Sequence, residues 1–250
     1  MSEEKHHRRI KSYVLRQGRM TFAQEHALNT AWDKWGLGKP LFEGTEQNPD
    51  VEFLQVEKVF GNRNELVVEI GFGMGDSLIA MAQQRPNTNF IGIEVHTPGI
   101  GNILQRIEEF KLSNIRVFHA DALNILNLFL APESLSAVYL YFPDPWQKRR
   151  HNKRRIVKTE FIHLIYSRLK NEGVFHMATD WQDYAIHMLQ EMKETIENSQ
   201  NREQPLYFIN QADDNAYIER PDWRPLTKFE QKGLNKGHQI WDLLFKKTLK

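Results

Sequence analysis

The chain has 250 residues, with 33 lysines and arginines against 32 aspartates and glutamates, a formal net charge of +1 and no cysteine. This length predicts one sizeable α/β domain with extensions, and the missing cysteine excludes disulfides, cysteine nucleophiles and thiolate metal sites. The polar N-terminus does not resemble a secretion signal, and the apolar runs are shorter than the roughly 18 residues of a membrane span, so we expect a cytoplasmic protein without membrane contact.

The first 60 residues differ in pattern from the rest of the chain. Residues 1–20 carry six lysines and arginines and are predicted to form a basic, flexible arm. Short helices are predicted at 23–34 and 51–60. Residues 21–250 are therefore interpreted as a single domain in which 21–60 form a helical N-terminal extension, and local basic patches in a near-neutral chain favour a polyanion-binding face.

From residue 66 onward, short apolar runs alternate with helical patterns. Strands are predicted at 66–70, 89–95, 115–121, 135–142 and 174–180, and helices at 77–84, 100–112, 161–169 and 181–192. Gly173 is expected to end the third of these helices. Alternating strands and helices predict an α/β fold with a parallel sheet covered on both faces, and such sheets bind ligands at the carboxyl ends of their strands.

A glycine-rich turn follows the first predicted strand, with Gly71, Gly73 and Gly75 between Glu69 and Asp76. Such turns let the backbone approach a nucleotide, but this G-x-G-x-G spacing differs from the dinucleotide motif. The turn holds no basic residue, and Asp76 is placed to cap the N–H groups that a pyrophosphate would need. It therefore favours a cationic ligand without phosphate, such as S-adenosylmethionine, while NAD or simple packing stay open as alternatives.

Acidic residues lie at the ends of three successive predicted strands, as Glu69, Glu94 and Asp121. Glu94 is placed to accept both ribose hydroxyls of an adenosine, although one such residue can equally be a solvated acid. Asp121 is placed to accept from an adenine amine or to cap the helix that follows it. Three acids in equivalent positions favour one shared ligand more strongly than any of them does alone.

The fourth predicted strand runs into the sequence FPDPW, where Pro143 and Pro145 flank Asp144. Proline fixes its own φ and restricts the residue before it, so the loop is expected to hold Asp144 firmly. Trp146 offers a face for stacking, and seven basic residues among the eleven at 148–158 offer phosphate contacts. The alternatives are core packing for Trp146 and a solvated face for the basic run.

Six motifs together resemble those of the bacterial tRNA (guanine-N7)-methyltransferase family: LVVEIGFGMGDSL, FIGIEVHTPGIG, HADAL, VYLYFPDPWQKRRHNKRRIV, ATDWQDYA and RPLTKFEQKG. The resemblance runs from about residue 12 to the C-terminus and is most specific in FPDPWQK with its basic run and in RPLTKFE. It implies the Rossmann-like class I methyltransferase fold, a seven-stranded, mostly parallel sheet with an antiparallel last strand and helices on both faces. Residues 238–247 are the expected last strand.

The resemblance implies an enzyme that transfers a methyl group from S-adenosyl-L-methionine to N7 of a guanine at position 46 in the tRNA variable loop, forming 7-methylguanosine. It implies tRNA as the partner. No metal is expected from the residues, and monomer and homodimer both stay open. The implied cofactor contacts, which include the three glycines of the turn, are Glu69, Gly71, Gly73, Gly75, Glu94, Asp121 and Asp144. Asp144 is also the implied catalytic residue. The implied substrate contacts are Lys148, Asp180, Thr227, Lys228, Phe229 and Glu230, and the implied RNA contacts are Arg150, His151, Asn152, Lys153, Arg154 and Arg155.

Other interpretations stay open beside these. Asp180 precedes a helix and would suit an N-cap, and 227–230 has the T-x-x-E form of a capping box. A methyltransferase acting on adenine N6 or on a protein side chain would more typically carry an Asn-Pro-Pro-aromatic motif in place of FPDPW. A non-enzymatic RNA-binding protein on the same fold would be expected to have lost the glycine turn or the strand-end acids. The ten histidines show no metal-ligand spacing.

Overall fold

The structure is a computed structural model that describes residues 10–14, 18–39, 52–214, 216–235 and 237–249. Most of the predicted basic arm and the beginning of the helix predicted at 51–60 lie outside the described residues. The side chains of Lys228 and Phe229 lie outside them as well.

Seven strands form one sheet in the order β3-β2-β1-β4-β5-β7-β6. Their bounds are β1 Glu65–Ile70, β2 Thr88–Glu94, β3 Ile115–His119, β4 Leu135–Tyr141, β5 Leu169–Thr179, β6 Phe208–Asn210 and β7 Trp241–Lys247. Strand β7 runs antiparallel to both of its neighbours, and β1 to β5 run parallel. This is the sheet that the family resemblance implies.

Helices cover both faces of the sheet. Their bounds are α1 Phe22–Trp35, α2 Val56–Phe60, α3 Asp76–Gln84, α4 Thr97–Glu109, α5 Ala122–Leu128, α6 Thr159–Arg168, α7 Gln182–Ser199 and α8 Lys228–Leu234, and a 3₁₀ helix spans Arg149–Arg154. Strand β1 is buried at five consecutive positions because neither of its faces meets solvent. Alternate residues of the strand enter separate cores, Val68 on one face and Val67 on the other.

The N-terminal extension packs against one edge and one face of this sheet. A capping box begins α1, in which the Thr21 hydroxyl accepts from the Gln24 backbone N–H and the Gln24 side chain accepts from the Thr21 N–H. Helix α1 packs closely on α4, where a side chain at Gly101 would lie 2.6 Å from the Gln24 carbonyl oxygen. The chain then adds a bridge from Gly36 to Val117 at the edge of β3.

Two predicted boundaries were wrong and one strand was missed, each for an identifiable reason. Pro98 and Gly99 were expected to precede a helix, but α4 begins at Thr97, because a proline in the first turn loses no helical hydrogen bond. Gly173 was expected to end α6, but α6 ends at Arg168 and Gly173 lies inside β5, close to the Lys170 carbonyl. Strand β6 was not predicted, because three residues give no alternating pattern.

Helix α4 approaches the glycine turn so closely that Gly99 has no room for a side chain. A Cβ atom there would lie 2.1 Å from the carbonyl oxygen of Gly73. We therefore expect Gly99→Ala to lower the free energy of unfolding by ~1–3 kcal/mol, as for other overpacked sites. Gly233→Ala in α8 is the matched control, because its added methyl would meet only ordinary contacts of 3.6 Å or more. Urea denaturation measures both variants, and equal stability of the two would contradict this account of α4.

Candidate functional site

A cavity of about 320 Å³ lies at the carboxyl ends of β1 to β4. Gly71, Glu94, Asp121 and Asp144 all line it, each from the loop or residue that ends a different strand. The structure thus brings together one predicted site residue from each of four successive strands. The remaining wall includes 12–14 from the N-terminal segment, which sequence reasoning did not assign to the site.

The glycine turn owes its shape to left-handed backbone angles, which glycine adopts without strain. The φ angles of Gly71, Gly73 and Gly75 are 72°, 58° and 80°. At Gly75 a Cβ atom would also lie 2.4 Å from Ile103 Cδ1 of α4. Gly71 faces the cavity, and the other two glycines fix the turn between β1 and α3.

Glu94 ties the glycine turn to the end of β2. Its Oε2 accepts from the Gly73 backbone N–H at 2.8 Å, and its Oε1 accepts from the N–H groups of Val95 and His96 at 2.6 and 2.9 Å. Burial raises the pKa of this carboxyl, while the three backbone donors act in the opposite direction. A carboxylate offers about four acceptor positions, so Glu94 retains capacity for a hydroxyl donor in the cavity.

Glu69 lies beneath the glycine turn and is only 2% exposed. The Ser77 hydroxyl donates to its Oε1, whereas its Oε2 has no hydrogen-bond partner among the described residues. Burial raises the pKa of Glu69 to about 7, against the lowering effect of Ser77. Buried polar atoms normally have a partner, so an unpartnered carboxylate oxygen at a ligand turn fits a cationic or N–H-bearing ligand.

Asp76 does not cap the helix that follows the turn, contrary to expectation. The N-cap position of α3 is Gly75, which makes no side-chain cap, and Asp76 is the first helical residue. Its carboxylate instead pairs with Arg106 of α4, with 2.7 Å between Oδ1 and Nη1. The absence of basic residues from the turn still favours a ligand without phosphate.

Asp121 combines the two roles that the sequence left open. Its Oδ1 accepts from the Leu123 N–H at 2.9 Å and so caps α5, and its side chain also lines the cavity. Because a cap of this kind uses one carboxylate oxygen, the second can accept from a ligand.

The loop that carries Asp144 is bracketed by two strained residues. Phe142 and Trp146 have φ angles of 51° and 49°, and they are two of five described non-glycine residues with positive φ. Such conformations cost roughly 1–3 kcal/mol each and persist only where the surroundings enforce them. Asp144 between them is exposed, lines the cavity and makes no hydrogen bond or ion pair with other described residues.

Three hydrogen bonds, each to a backbone carbonyl, hold this loop in place. The Phe142 N–H donates to the Ala178 carbonyl of β5 at 2.7 Å. Arg155 Nε donates to the Pro145 carbonyl at 3.0 Å, and the Trp146 indole N–H donates to the Ser12 carbonyl at 3.1 Å. Trp146 therefore binds the N-terminal segment at the cavity wall, an arrangement that neither of its predicted roles anticipated.

The basic run forms the 3₁₀ helix beside this loop. Lys148, Arg150 and Lys153 are exposed, as phosphate contacts require. The Arg154 guanidinium lies 4.4 Å from the Trp146 ring centroid, and the His151 ring meets the same indole edge-on. Asn152 is half-buried in the helix.

Arg155 differs from the rest of the basic run because it is only 3% exposed. Besides the Pro145 carbonyl, its guanidinium binds the Asp183 carboxylate and covers the Tyr184 ring at 4.8 Å. A side chain in this position supports the loop from below, so the predicted phosphate contact does not fit where the structure places Arg155.

A second cavity of about 500 Å³ connects this basic run to the first cavity. Ser12, Asp121 and Ile156 line both cavities. The second is also lined by four basic residues, Lys11, Arg154, Arg155 and Lys158, and by one further carboxylate, that of Glu160, so its wall is mainly cationic. The site at the strand ends therefore continues into a basic surface.

The predicted substrate contacts near the C-terminus divide into two kinds. Asp180 directly follows β5, and its Oδ2 lies 3.8 Å from His238 Nδ1. Trp181 occupies the N-cap position of α7, so the capping alternative for Asp180 is wrong. Thr227 does cap α8, accepting from the Glu230 N–H at 3.1 Å. Glu230 is 2% exposed and accepts two bonds from Arg224, so its carboxylate does not face the cavity or solvent.

Within the described ranges, no three His, Asp or Glu side chains lie together as a metal site would require. None of the helices in that part of the chain is long and apolar enough to cross a membrane.

Comparison with known proteins relates the chain to methyltransferases. A family model described as "Putative methyltransferase" matches residues 63–243. A curated relative from Hydrogenovibrio crunogenus, named tRNA (guanine-N(7)-)-methyltransferase, is 46% identical over 242 residues, which are 97% of this chain and 92% of the relative. A relative of the same name from Pseudoalteromonas translucida is 47% identical over 246 residues, covering 98% of this chain and 94% of the relative.

A solved structure supports the fold independently of sequence. The crystal structure of the 16S rRNA methyltransferase KamB matches with a TM-score of 0.54 at 13% identity, over 79% of this chain and 95% of that chain. At this identity the likeness concerns the fold alone, and it confirms the predicted class I methyltransferase fold.

The raised pKa of Glu69 predicts a specific pH dependence of stability. Its pKa is 4.5 ordinarily and about 7 in the fold, so the folded state holds a proton that the unfolded state has lost between these values. The contribution of Glu69 to stability is therefore fully present below pH 4.5 and is lost as the pH rises through 7, by roughly 3 kcal/mol in total. Glu69→Gln removes this loss. The unfolding free energy of the variant, relative to that of wild type, should therefore increase from pH 5 to pH 8.

Urea denaturation at the two pH values measures this difference. Glu65→Gln, at the exposed beginning of the same strand, is the control and should follow wild type at both. A Glu69→Gln difference that does not change with pH would show that this carboxylate is not held in an unfavourable charged state.

Proposed function

The chain belongs to the tRNA (guanine-N7)-methyltransferase family, and from that premise we propose that its site methylates N7 of the guanine at position 46 in the tRNA variable loop. The methyl donor is S-adenosyl-L-methionine. The observation that carries the residue assignment is the convergence of Gly71, Glu94, Asp121 and Asp144 on one cavity. We propose the cytoplasm as the location, because tRNA is modified there.

The cofactor contacts follow from charge and from unused acceptors. S-adenosyl-L-methionine supplies an activated methyl group on a sulfonium. Glu94 and Asp121 each keep acceptor capacity in the cavity and would hold the adenosine portion through hydroxyl and amine donors. Glu69, whose Oε2 has no hydrogen-bond partner among the described residues, would offset the positive charge of the ligand beneath the glycine turn. The absence of basic residues from that turn fits the absence of phosphate in this cofactor.

Asp144 is the proposed catalytic residue on the guanine side. Guanine N7 is an acceptor with a free lone pair, so its alkylation requires no general base. We assign the Asp144 carboxylate to accept from the N–H edge of guanine, which selects guanine over adenine and offsets charge that develops on the purine. Its lack of ion pairs within the described structure leaves it available for that contact, or for the cofactor ammonium.

The basic run is the proposed tRNA-binding surface. A variable-loop guanine takes part in tertiary contacts, so the base must leave them at a cost of a few kcal/mol. Phosphate contacts from Arg150, Lys153 and Arg154 would offset this cost, and the second cavity joins that surface to the cofactor site. Lys148, Asp180 and Thr227, together with Lys228 and Phe229, stay predicted substrate contacts.

Arg155 and Glu230 have a different proposed role from the other predicted RNA and substrate contacts. Both are buried and bound to protein partners, so we assign them to support of the site rather than to direct contact with tRNA.

One experiment tests the reaction directly. The protein is incubated with bulk tRNA that lacks this modification and with methyl-labelled S-adenosyl-L-methionine, and the tRNA is digested to nucleosides. The expected product is labelled 7-methylguanosine, mapped to position 46. Label in N6-methyladenosine, or in no nucleoside at all, would reject the proposed substrate. A parallel reaction with Asp144→Asn measures the background level of label.

Asp144→Asn should reduce turnover while preserving the loop. The two prolines and the strained residues on either side fix the backbone, and asparagine has nearly the same shape as aspartate. Turnover at saturating substrates should fall by ~100-fold or more, as for the loss of one preorganised electrostatic contact. Affinity for tRNA should change little, because phosphate contacts supply most of it. Single-turnover kinetics and tRNA titration measure the two effects, and near wild-type turnover would mean that Asp144 has only a structural role.

Neutralising the basic run should make tRNA binding less sensitive to salt. The variant Arg150→Gln/Lys153→Gln removes two exposed charges, so the slope of log K against log salt should flatten by about two units. Cofactor affinity should not change. Lys58→Gln/Lys111→Gln removes two exposed charges that precede the amino ends of β1 and β3, at the opposite end of the sheet, and serves as the control. Equal slopes for the two variants would identify the basic run as an ordinary solvated surface.

A further inference from the structure

A buried ionic network lies behind the loop that carries Asp144. Its centre is Arg224, which is 1% exposed and sits in the segment before α8. Its Nη1 and Nη2 donate to Glu230 at 2.6 and 2.8 Å, and its Nε and Nη2 donate to Asp242 of β7 at 2.7 and 2.9 Å. One guanidinium is thus held in fixed orientation by two carboxylates.

The network continues to the end of β4. His176 Nε2 lies 2.8 Å from Asp242 Oδ1, and its Nδ1 lies 2.9 Å from the Tyr141 hydroxyl. Burial lowers the pKa of His176 despite the nearby carboxylate, so the ring is neutral and has one N–H. Because a carboxylate only accepts, Nε2 donates to Asp242 and the Tyr141 hydroxyl donates to Nδ1. Tyr141 is the last residue of β4 and directly precedes the strained Phe142.

Arg224 also contacts the strained turn itself. Its guanidinium lies 5.8 Å from the ring centroid of Tyr141 and 5.7 Å from that of Phe142. The Phe142 N–H binds the carbonyl of Ala178, and Ala178 is the register partner of Asp242 across β5 and β7. Arg224 is therefore linked to the turn in two ways. Its guanidinium lies near the rings of Tyr141 and Phe142, and it binds Asp242, whose register partner Ala178 binds the Phe142 N–H.

Stability alone does not explain such a network, because hydrophobic residues of similar volume often replace a buried ion pair without loss. A strained residue, in contrast, needs surroundings that enforce its conformation. Resting on the function proposed above, we propose that Arg224 is a positioning residue for methyl transfer, which holds the turn at Phe142 in the conformation that presents Asp144. Glu230 then acts through Arg224 and not on tRNA.

The first test separates positioning from substrate contact. Glu230→Gln keeps the shape of the side chain but weakens its hold on Arg224, and Arg224→Lys loses the planar fork that binds two carboxylates. Each should lower turnover at saturation by ~10-fold or more, because a small misplacement of a reacting group is costly. Dissociation constants for tRNA and cofactor should not change. Weaker tRNA binding with full turnover at saturation would instead assign Glu230 to tRNA and overturn the proposal.

A double-mutant comparison asks whether the effect passes through Asp144. In an Asp144→Asn background, Glu230→Gln should cost little further turnover, because the carboxylate that it positions is already absent. Multiplicative losses would overturn the proposal. Lys247→Met is the control for general destabilisation, since it removes a buried cation at the far end of β7 that binds Glu133 and two backbone carbonyls.

A second readout needs no substrate. Amide hydrogen exchange at Phe142 reports its bond to the Ala178 carbonyl, and exchange should accelerate in Glu230→Gln and Arg224→Lys but not in Lys247→Met. Tyr141→Phe removes a single hydroxyl, keeps the ring, and tests the same link if the charged variants fold poorly. Unchanged exchange at Phe142 in the folded variants would overturn the positioning role even if wild type methylates tRNA as proposed. Accelerated exchange would support that role even if wild type methylates another base.

Discussion

A carboxylate without protein partners depends on its backbone alone for its position. Asp144 is in this situation, exposed at the cavity and without a hydrogen bond or ion pair among the described residues. Its position depends on Pro143 and Pro145, on two residues with positive φ, and on donors and acceptors from β5, Arg155 and the N-terminal segment. Much of the surrounding structure can be understood as the means by which this strained loop is maintained.

The sheet topology explains why so many contacts can converge on one loop. Strand β4 lies between β1, which leads to the glycine turn, and β5, whose Ala178 carbonyl binds the loop. The proposed cofactor contacts therefore lie on one side of Asp144, and the Arg224 network lies on the other. The antiparallel strand β7 places Asp242 beside Ala178, and this pairing connects α8 to the loop.

The sequence predicted the parts of the site that depend on local pattern. Apolar runs located the central strands, and the parallel topology then required Glu94, Asp121 and Asp144 to meet at one edge. It did not distinguish Arg155 from the other basic residues of its run, because burial depends on Tyr184 and Asp183 of a later helix. The T-x-x-E pattern at 227–230 revealed the Thr227 cap, but only tertiary structure shows that the Glu230 carboxylate binds Arg224.

The central claim is that the cavity at the ends of β1 to β4 holds the methyl donor, with Asp144 left free to meet guanine. A crystal structure of the protein with S-adenosylhomocysteine tests it most directly. The account predicts that the ligand fills this cavity, within hydrogen-bond distance of Glu94 and Asp121, and that the loop keeps positive φ at Phe142 and Trp146. A ligand bound elsewhere, or a loop whose Asp144 has turned away to pair with a protein cation, would contradict it.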